Sequence, residues 1–332
     1  MPELPDVTVY VEHLARRTVG ARLERVRVLS PNLLRTARPR LREVEGRTVR
    51  EVRRMGKRIV FGLDGDLFLV LHLMIAGRLH WGERAAAAAA PAAVRAKSLL
   101  AVFEFSTGSL RLTEASTHKR ASLHVVRGES DLALLDAGGL EPLTATPAAF
   151  RRALTRESHT VKRALTDPRL FCGIGNAYSD EILHRARLSP LALTSRLGEA
   201  EIERLRQAAR AVLGEWTERL REQAGEVFPE GVTAFRPEMA VHGRYRQPCP
   251  ACGSPVQRIV YAENETNYCA HCQTGGRVLA DRSLSRLLKA DWPRTLEEWE
   301  EGMPGPSALP ARSGRPTMRS RKARPPERRS PS

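Results

Sequence analysis

The chain contains no apolar run long enough to span a bilayer, so no membrane partner is expected. Its opening residues, MPELPDVTVY, lack a basic stretch followed by an apolar one, and no secretory signal is expected either. Acidic residues are in deficit: 38 Asp plus Glu stand against 54 Lys plus Arg, a net charge of +16. Such an excess favours a polyanionic partner. The charge is spread along the chain rather than confined to one amphipathic helix, which favours nucleic acid over a lipid surface. Composition also leaves open a basic but merely solvated surface. Cysteine is sparse, and four of the five residues form two Cys-x-x-Cys pairs near the C-terminus. That usage favours a metal in a reducing compartment over disulfides, and a cytoplasmic location is the expectation.

A length of 332 residues suits two or three domains, at about 100–200 residues each. Val7, Tyr10, Val11 and Leu14 recur at helical spacing, with Pro5 suited to the first turn and Gly20 to the end. Short alternating or apolar stretches follow: RLERVRVL, GRTVREVRR, RIVFGL, LFLVLHLM, LLAVFEFS, SLRLTEA and ASLHVVRG. Gly, Asp and Ser break them, so they read as strands of an antiparallel sandwich or barrel. Ala85 to Ala90 with Pro91 reads as a loop. From about residue 131 the pattern turns helical. Thr146-Pro147 is a cap and first turn, TVKRALTD a short helix, and LGEAEIERLRQAARAVLGEWTERLRE a long one. Its Ile202, Leu205, Ala209, Val212, Leu213 and Trp216 share one face. The expected class is α+β, divided as 1–130, 131–241, a cysteine module at 242–276 and an extension at 277–332. From about 303 that extension is a Pro-, Arg- and Ser-rich tail expected to be disordered.

Three stretches carry chemistry. Cys249 and Cys252 are separated by sixteen residues from Cys269 and Cys272, enough for a β-hairpin. Four thiolates close a tetrahedral site, so one structural Zn2+ is expected there. His271 reads as a bystander and Cys172 as a buried small hydrophobe. Gly173-Ile174-Gly175-Asn176 stands at the mouth of a helix, where exposed N–H groups attract phosphate; taken alone, such a turn is more often an ordinary helix start. The third stretch is MPELPD. A small residue after the initiator Met generally permits its removal, which leaves Pro2 with a free secondary amine. Near the positive end of a helix the neutral, nucleophilic amine is favoured. Its attack on an acetal-like carbon gives an iminium, an electron sink for elimination, with Glu3 exchanging protons beside it.

MPELPD, Lys57 in MGKRIV, HLMIAG, GIGNAYSDE and the late four-cysteine finger occur in an order that resembles the formamidopyrimidine-DNA glycosylases, whose sister group is the endonuclease VIII enzymes. The resemblance covers about residues 1–275. It implies an N-terminal antiparallel β-sandwich, a helix–two-turn–helix domain and a zinc-finger β-hairpin, with damaged double-stranded DNA bound by a monomer. It implies base flipping, attack of Pro2 on C1′, proton transfer by Glu3 and assistance by Lys57. His72, Lys162, Asn176 and Tyr178 fall at DNA-contact places, with Glu181 beside them. Ile75 takes the place of a Met that wedges into the gap left by the flipped base, and Arg120 faces the orphan base.

The departures shape the expected activity. Asp6 stands where Glu is usual. TEASTHKRASLH retains His118, Lys119 and Arg120 but lacks the family's wedge Phe. A histidine usual in the preceding loop has no match near VRAKS. Asn264 replaces a finger Arg, and an amide cannot pair bidentately with phosphate. β-Elimination is therefore expected to survive and δ-elimination to weaken, unless Arg258 or Arg277 compensates. The segment EVFPEGVTAFRPEMAVHG is short, which leaves lesion preference open. Oxidised purines are the first expectation, since MPEL leans away from the MPEG of the pyrimidine-acting sister group. A damage-binding protein with reduced catalysis is the third.

Overall fold

Pro5 opens helix α1 (Leu4–Thr18) within its first turn, where a missing N–H costs nothing. The helix ends as Gly20 takes a left-handed φ of +80°. Val7, Tyr10 and Leu14 are fully buried, as their spacing predicts. The computed structural model describes residues 1–83, 98–232, 235–261, 264–279, 295 and 298. The alanine loop at 85–91 and the tail from 303 lie outside the described residues.

After α1 come strands β1 (Arg22–Val28), β2 (Arg47–Met55), β3 (Arg58–Leu63), β4 (Leu67–His72), β5 (Gly77–Glu83), β6 (Leu99–Phe105), β7 (Gly108–Glu114) and β8 (Ser122–Arg127). They run antiparallel in the order β5-β7-β6-β1-β2-β3-β4-β8. β1 and β2 share two residue pairs, Arg22↔Thr48 and Leu23↔Arg47. The sheet folds there into two four-stranded halves around one core. Phe61 of β3 stacks on Phe105 of β6 with ring centroids 6.1 Å apart. Seven strands match the apolar stretches named above. β5 has no match among them: Leu79 and Trp81 alternate inward, but His80 between them and Gly77, Arg78 and Gly82 around them obscure the pattern.

The helical unit follows: α2 (Gly128–Ala133), α3 (Pro147–Leu154), α4 (Val161–Thr166), α5 (Asn176–Arg185) and α6 (Glu199–Ala224). Thr146 caps α3 through Ala149 N at 3.3 Å, and Thr160 caps α4. The face of α6 from Ile202 to Trp216 packs on α3, α4 and α5. β9 (Val256–Tyr261) and β10 (Asn264–Cys269) form the finger hairpin, closed by α7 (Ala270–Thr274). Leu4 belongs to the helical core while Val7, Tyr10 and Leu14 belong to the sandwich core, so α1 joins the two.

The loop after α6 returns to α1. Phe228 lies 5.7 Å from the Tyr10 ring and edge-on to His13, within the sandwich core. Phe228→Ala should cost about 3–5 kcal/mol, read as a lower midpoint of denaturant unfolding with unchanged slope.

Candidate active site and metal centre

Glu3 is almost fully buried, and its destination explains the glycine motif. Its carboxylate accepts hydrogen bonds from Gly175 N at 2.6 Å, Ala177 N at 2.9 Å and Tyr178 N at 3.2 Å. These are the unsatisfied amides of the first turn of α5, where the helix dipole also favours a negative group. Leu4 N donates to Gly173 O at 2.9 Å and completes the junction. A Cβ on Gly175 would lie 2.5 Å from Glu3 Cδ and Oε1, and one on Gly173 would meet Leu4 Cβ at 2.7 Å. The glycines therefore admit the N-terminal segment of the chain itself. The phosphate cradle expected from Gly173-x-Gly175 is corrected in part: Gly175 N and the next two turn amides, of Ala177 and Tyr178, are taken by Glu3.

The chain's N-terminus sits in a charged enclosure. Pro2 is buried behind Met1. The terminal amine, here on Met1, is lowered from its ordinary value by burial first, raised by Glu3 and Asp6, and lowered by Arg78 and Lys57. Lys57 lies in the two-residue turn between β2 and β3, made possible by Gly56 at φ +58°. Burial lowers the Lys57 amine below the usual lysine range, and Glu3 and then Cys172 oppose that shift. Lys57 and the terminal amine each feel the charge of Glu3, so the N-terminal segment and Lys57 share one enclosure. A lysine so depressed has more of its neutral form available for proton abstraction.

Cys172 is not a plain hydrophobe. Its thiol donates to Glu141 Oε2 at 3.2 Å and is pushed up to about 11, by burial first and by Glu141 next. Arg54 pairs with the same carboxylate at 2.5 Å.

The expected DNA contacts divide. His72 ends β4 beside Arg58 of β3. Burial, then Arg58, Lys57 and His124, lower it to about 4, so at neutral pH it is a neutral donor. Ile75 is 55% exposed at the tip of a tight turn closed by Gly77 N to Leu73 O at 2.9 Å. Arg120 is exposed on the β7–β8 loop, whose backbone is held by the buried Glu114 through Arg120 N and Ala121 N. Asn176 is the first residue of α5 rather than its cap, and its Nδ2 donates to Glu265 O of β10 at 2.8 Å.

Two contacts differ from expectation. Tyr178 is 1% exposed, edge-on to Trp216, so it is a core residue with no surface to offer a phosphate. Lys162 gives its ammonium to Asp180 Oδ1 at 2.5 Å and Asn176 O at 2.7 Å, in an almost enclosed position. It neutralises a fully buried carboxylate, which accounts for its position without a phosphate.

Asp180 and Glu181 pin the finger. Asp180 Oδ2 accepts from His242 Nδ1 at 2.8 Å and Asn267 N at 3.2 Å. Glu181 accepts the N–H groups of Ala240, Val241 and His242 at 2.7–2.9 Å. Nothing in the sequence marks the role of Asp180, because periodicity does not reveal a buried acid. In the finger, the sulfurs of Cys249, Cys252, Cys269 and Cys272 all lie within 4.8 Å of one another. Cys249 to Cys272 is 4.0 Å and Cys252 to Cys269 is 3.4 Å. A Zn–S bond of about 2.3 Å implies a tetrahedral edge of about 3.8 Å, so the set fits zinc. His271 is exposed and takes no part, whereas His184 Nε2 reaches Cys249 Sγ at 3.2 Å from α5. Arg258, a candidate substitute for the missing finger Arg, pairs with Glu265 at 3.2 Å and covers Tyr245.

Three family models match the chain in order: the formamidopyrimidine-DNA glycosylase N-terminal domain at residues 1–136, the H2TH domain of the same enzymes at 139–224, and the zinc finger found in FPG and IleRS at 246–275. The formamidopyrimidine-DNA glycosylase of Thermus thermophilus is 35% identical over 303 residues, covering 83% of this chain and all of the relative. The chain belongs to the formamidopyrimidine-DNA glycosylase family. Its family relative from Symbiobacterium thermophilum is 33% identical, covering 82% of this chain and 89% of the relative. The crystal structure of MutM (Fpg) from Thermus thermophilus superposes with a TM-score of 0.68 at 33% identity, over 82% of this chain and 98% of that one. A Lactococcus lactis Fpg complex with FAPY-dG-containing DNA gives 0.70 at 26%, over 82% and 100%. As in the family, the finger holds one structural zinc.

Gly175→Ala should destabilise by about 1–3 kcal/mol and displace Glu3, seen as a lower thermal midpoint with lost catalysis. Native mass spectrometry should find one zinc per chain. Its removal by a chelator should lower the thermal midpoint, and zinc alone should restore it.

Proposed function

We propose that the chain is a base-excision-repair DNA glycosylase with abasic-site lyase activity, acting on oxidised purines, 8-oxoguanine and formamidopyrimidines, in duplex DNA. The observation that carries this reading is the meeting of Pro2, Glu3 and the depressed Lys57 at one buried N-terminus. With Met1 removed, the Pro2 nitrogen attacks C1′ of the flipped nucleotide as the glycosidic bond breaks and the base leaves with that electron pair. Glu3 exchanges protons with the opening sugar. The resulting iminium draws electrons when a base, the role proposed for Lys57, takes a proton from C2′. The C3′–O bond then breaks and releases the 3′ phosphate ester. His72 and Asn176 contact the backbone, Ile75 enters the vacated stack and Arg120 faces the unpaired partner base. The protein acts as a monomer in the cytoplasm. Among the described residues no helix is long and apolar enough to cross a membrane.

Elimination should stop mainly at the first step. Asn264 takes the finger position of the usual Arg, and Arg258 is tied to Glu265. Duplex DNA with an abasic site, treated with borohydride, should trap a covalent adduct. The adduct should disappear in Pro2→Gly and in protein retaining Met1. Without borohydride, the 3′-unsaturated aldehyde should outweigh the 3′-phosphate. Binding without an adduct would instead leave a damage-binding protein, and preferential release of oxidised pyrimidines would place the activity with the sister group.

A further inference from the structure

The carboxylate of Asp6 faces two ways. Oδ2 accepts the N–H of Glu3, the amide immediately after Pro2, at 2.9 Å. Oδ1 accepts from Arg236 Nη2 at 2.8 Å. The side chains are 2% and 12% exposed, so the pair is taken out of water. Arg236 arrives from the loop that follows α6, on the wall of a cavity of about 280 Å3 that it shares with Asp6 and Phe228. Among the described residues its buried Nε has no hydrogen-bond partner, and its guanidinium carbon lies 6.0 Å from the centre of Trp216. Burial of an arginine with one N–H unsatisfied indicates that the other end of the fork has a task.

We propose that Arg236 is a positioning residue for the N-terminal nucleophile, acting through Asp6 on the Glu3 amide and so on the direction of the Pro2 nitrogen. The proposal rests on the lyase reading above. A buried carboxylate needs a partner to stay charged, and a charged acceptor holds an amide more tightly than a neutral one. Burial raises Asp6 above the usual carboxylate range, and Arg236 is the principal opposing influence. The groups facing Asp6 are Glu3, Tyr10, Tyr178 and the terminal amine besides Arg236; among them Arg236 supplies the positive charge that does not depend on pH in the working range. Arg236, paired with Asp6 at 2.8 Å, also opposes the field of Asp6, which the terminal amine feels together with Glu3, Arg78 and Lys57. Loss of Arg236 gives the same sign by either route. A charged Asp6 makes the amine hold its proton to higher pH, and a protonated Asp6 slackens the Glu3 amide as pH falls. Removing the Asp6 charge while keeping Arg236 does the opposite to the amine.

The test is the rate of borohydride-trapped adduct on abasic duplex DNA from pH 5 to 9, using Met1-processed full chain. Arg236→Gln should slow trapping about tenfold at neutral pH and move the acid limb to higher pH. Arg236→Lys should restore most of the rate and the limb. Asp6→Asn should move the limb to lower pH. Affinity for duplex carrying a non-cleavable abasic analogue should change less than about twofold in all three, since the pair is buried and its charges are matched. An unchanged pH profile in Arg236→Gln, or shifts of the same sign in Arg236→Gln and Asp6→Asn, overturns the proposal. If Arg236→Gln fails to fold, the downward limb of Asp6→Asn decides alone: its absence overturns the proposal. No adduct from the unmodified protein overturns the lyase reading and the proposal together, whereas an adduct insensitive to Arg236 overturns the proposal only.

Discussion

One carboxylate organises this protein. Glu3 occupies the first-turn amides of α5, and that contact lets the extreme N-terminus serve as a rigid element rather than a frayed end. Everything near the nucleophile depends on it. Gly173 and Gly175 are glycines because the N-terminal segment passes where side chains would stand. Leu4 enters the helical core because Glu3 has already been drawn there, while the next turns of α1 remain in the sandwich. Asp6 then closes a capping box back onto Glu3. The sequence MPELPD is therefore a structural plug and a reactive terminus at once.

The same economy of charge operates along α5. Asp180 and Glu181 are buried acids that no apolar pairing could replace without losing the finger's anchor. Each is satisfied: Asp180 by Lys162, His242 and Asn267 N, and Glu181 by three consecutive amides. Lys162 and Tyr178, which fall near a phosphate surface by resemblance, serve this interior instead. Their residue types are equally compatible with both settings, and burial decides between them.

Much of the fold was legible because its signals are local. Alternation marked seven strands, Thr146-Pro147 marked a helix start, and cysteine spacing marked the finger. The missed strand, Gly77–Glu83, has its inward Leu79 and Trp81 hidden among polar neighbours. The site was legible where ordered motifs carried it, as for Pro2, Glu3, Lys57 and the four cysteines. It was illegible where the partner lies far along the chain. Nothing local to GIGN says that a glutamate more than 170 residues earlier will fill its amides, and nothing local to Arg236 points to Asp6. Such pairings follow from topology rather than periodicity.

Helix α5 is ten residues long, about 15 Å. Its start grips the N-terminal segment, its middle grips the chain entering the finger, and its end touches a cysteine sulfur through His184. The finger is consequently no hinged appendage. A short axle joins the metal centre to the N-terminal segment, so the cysteines and the segment that carries Pro2 are fixed to the same ten residues.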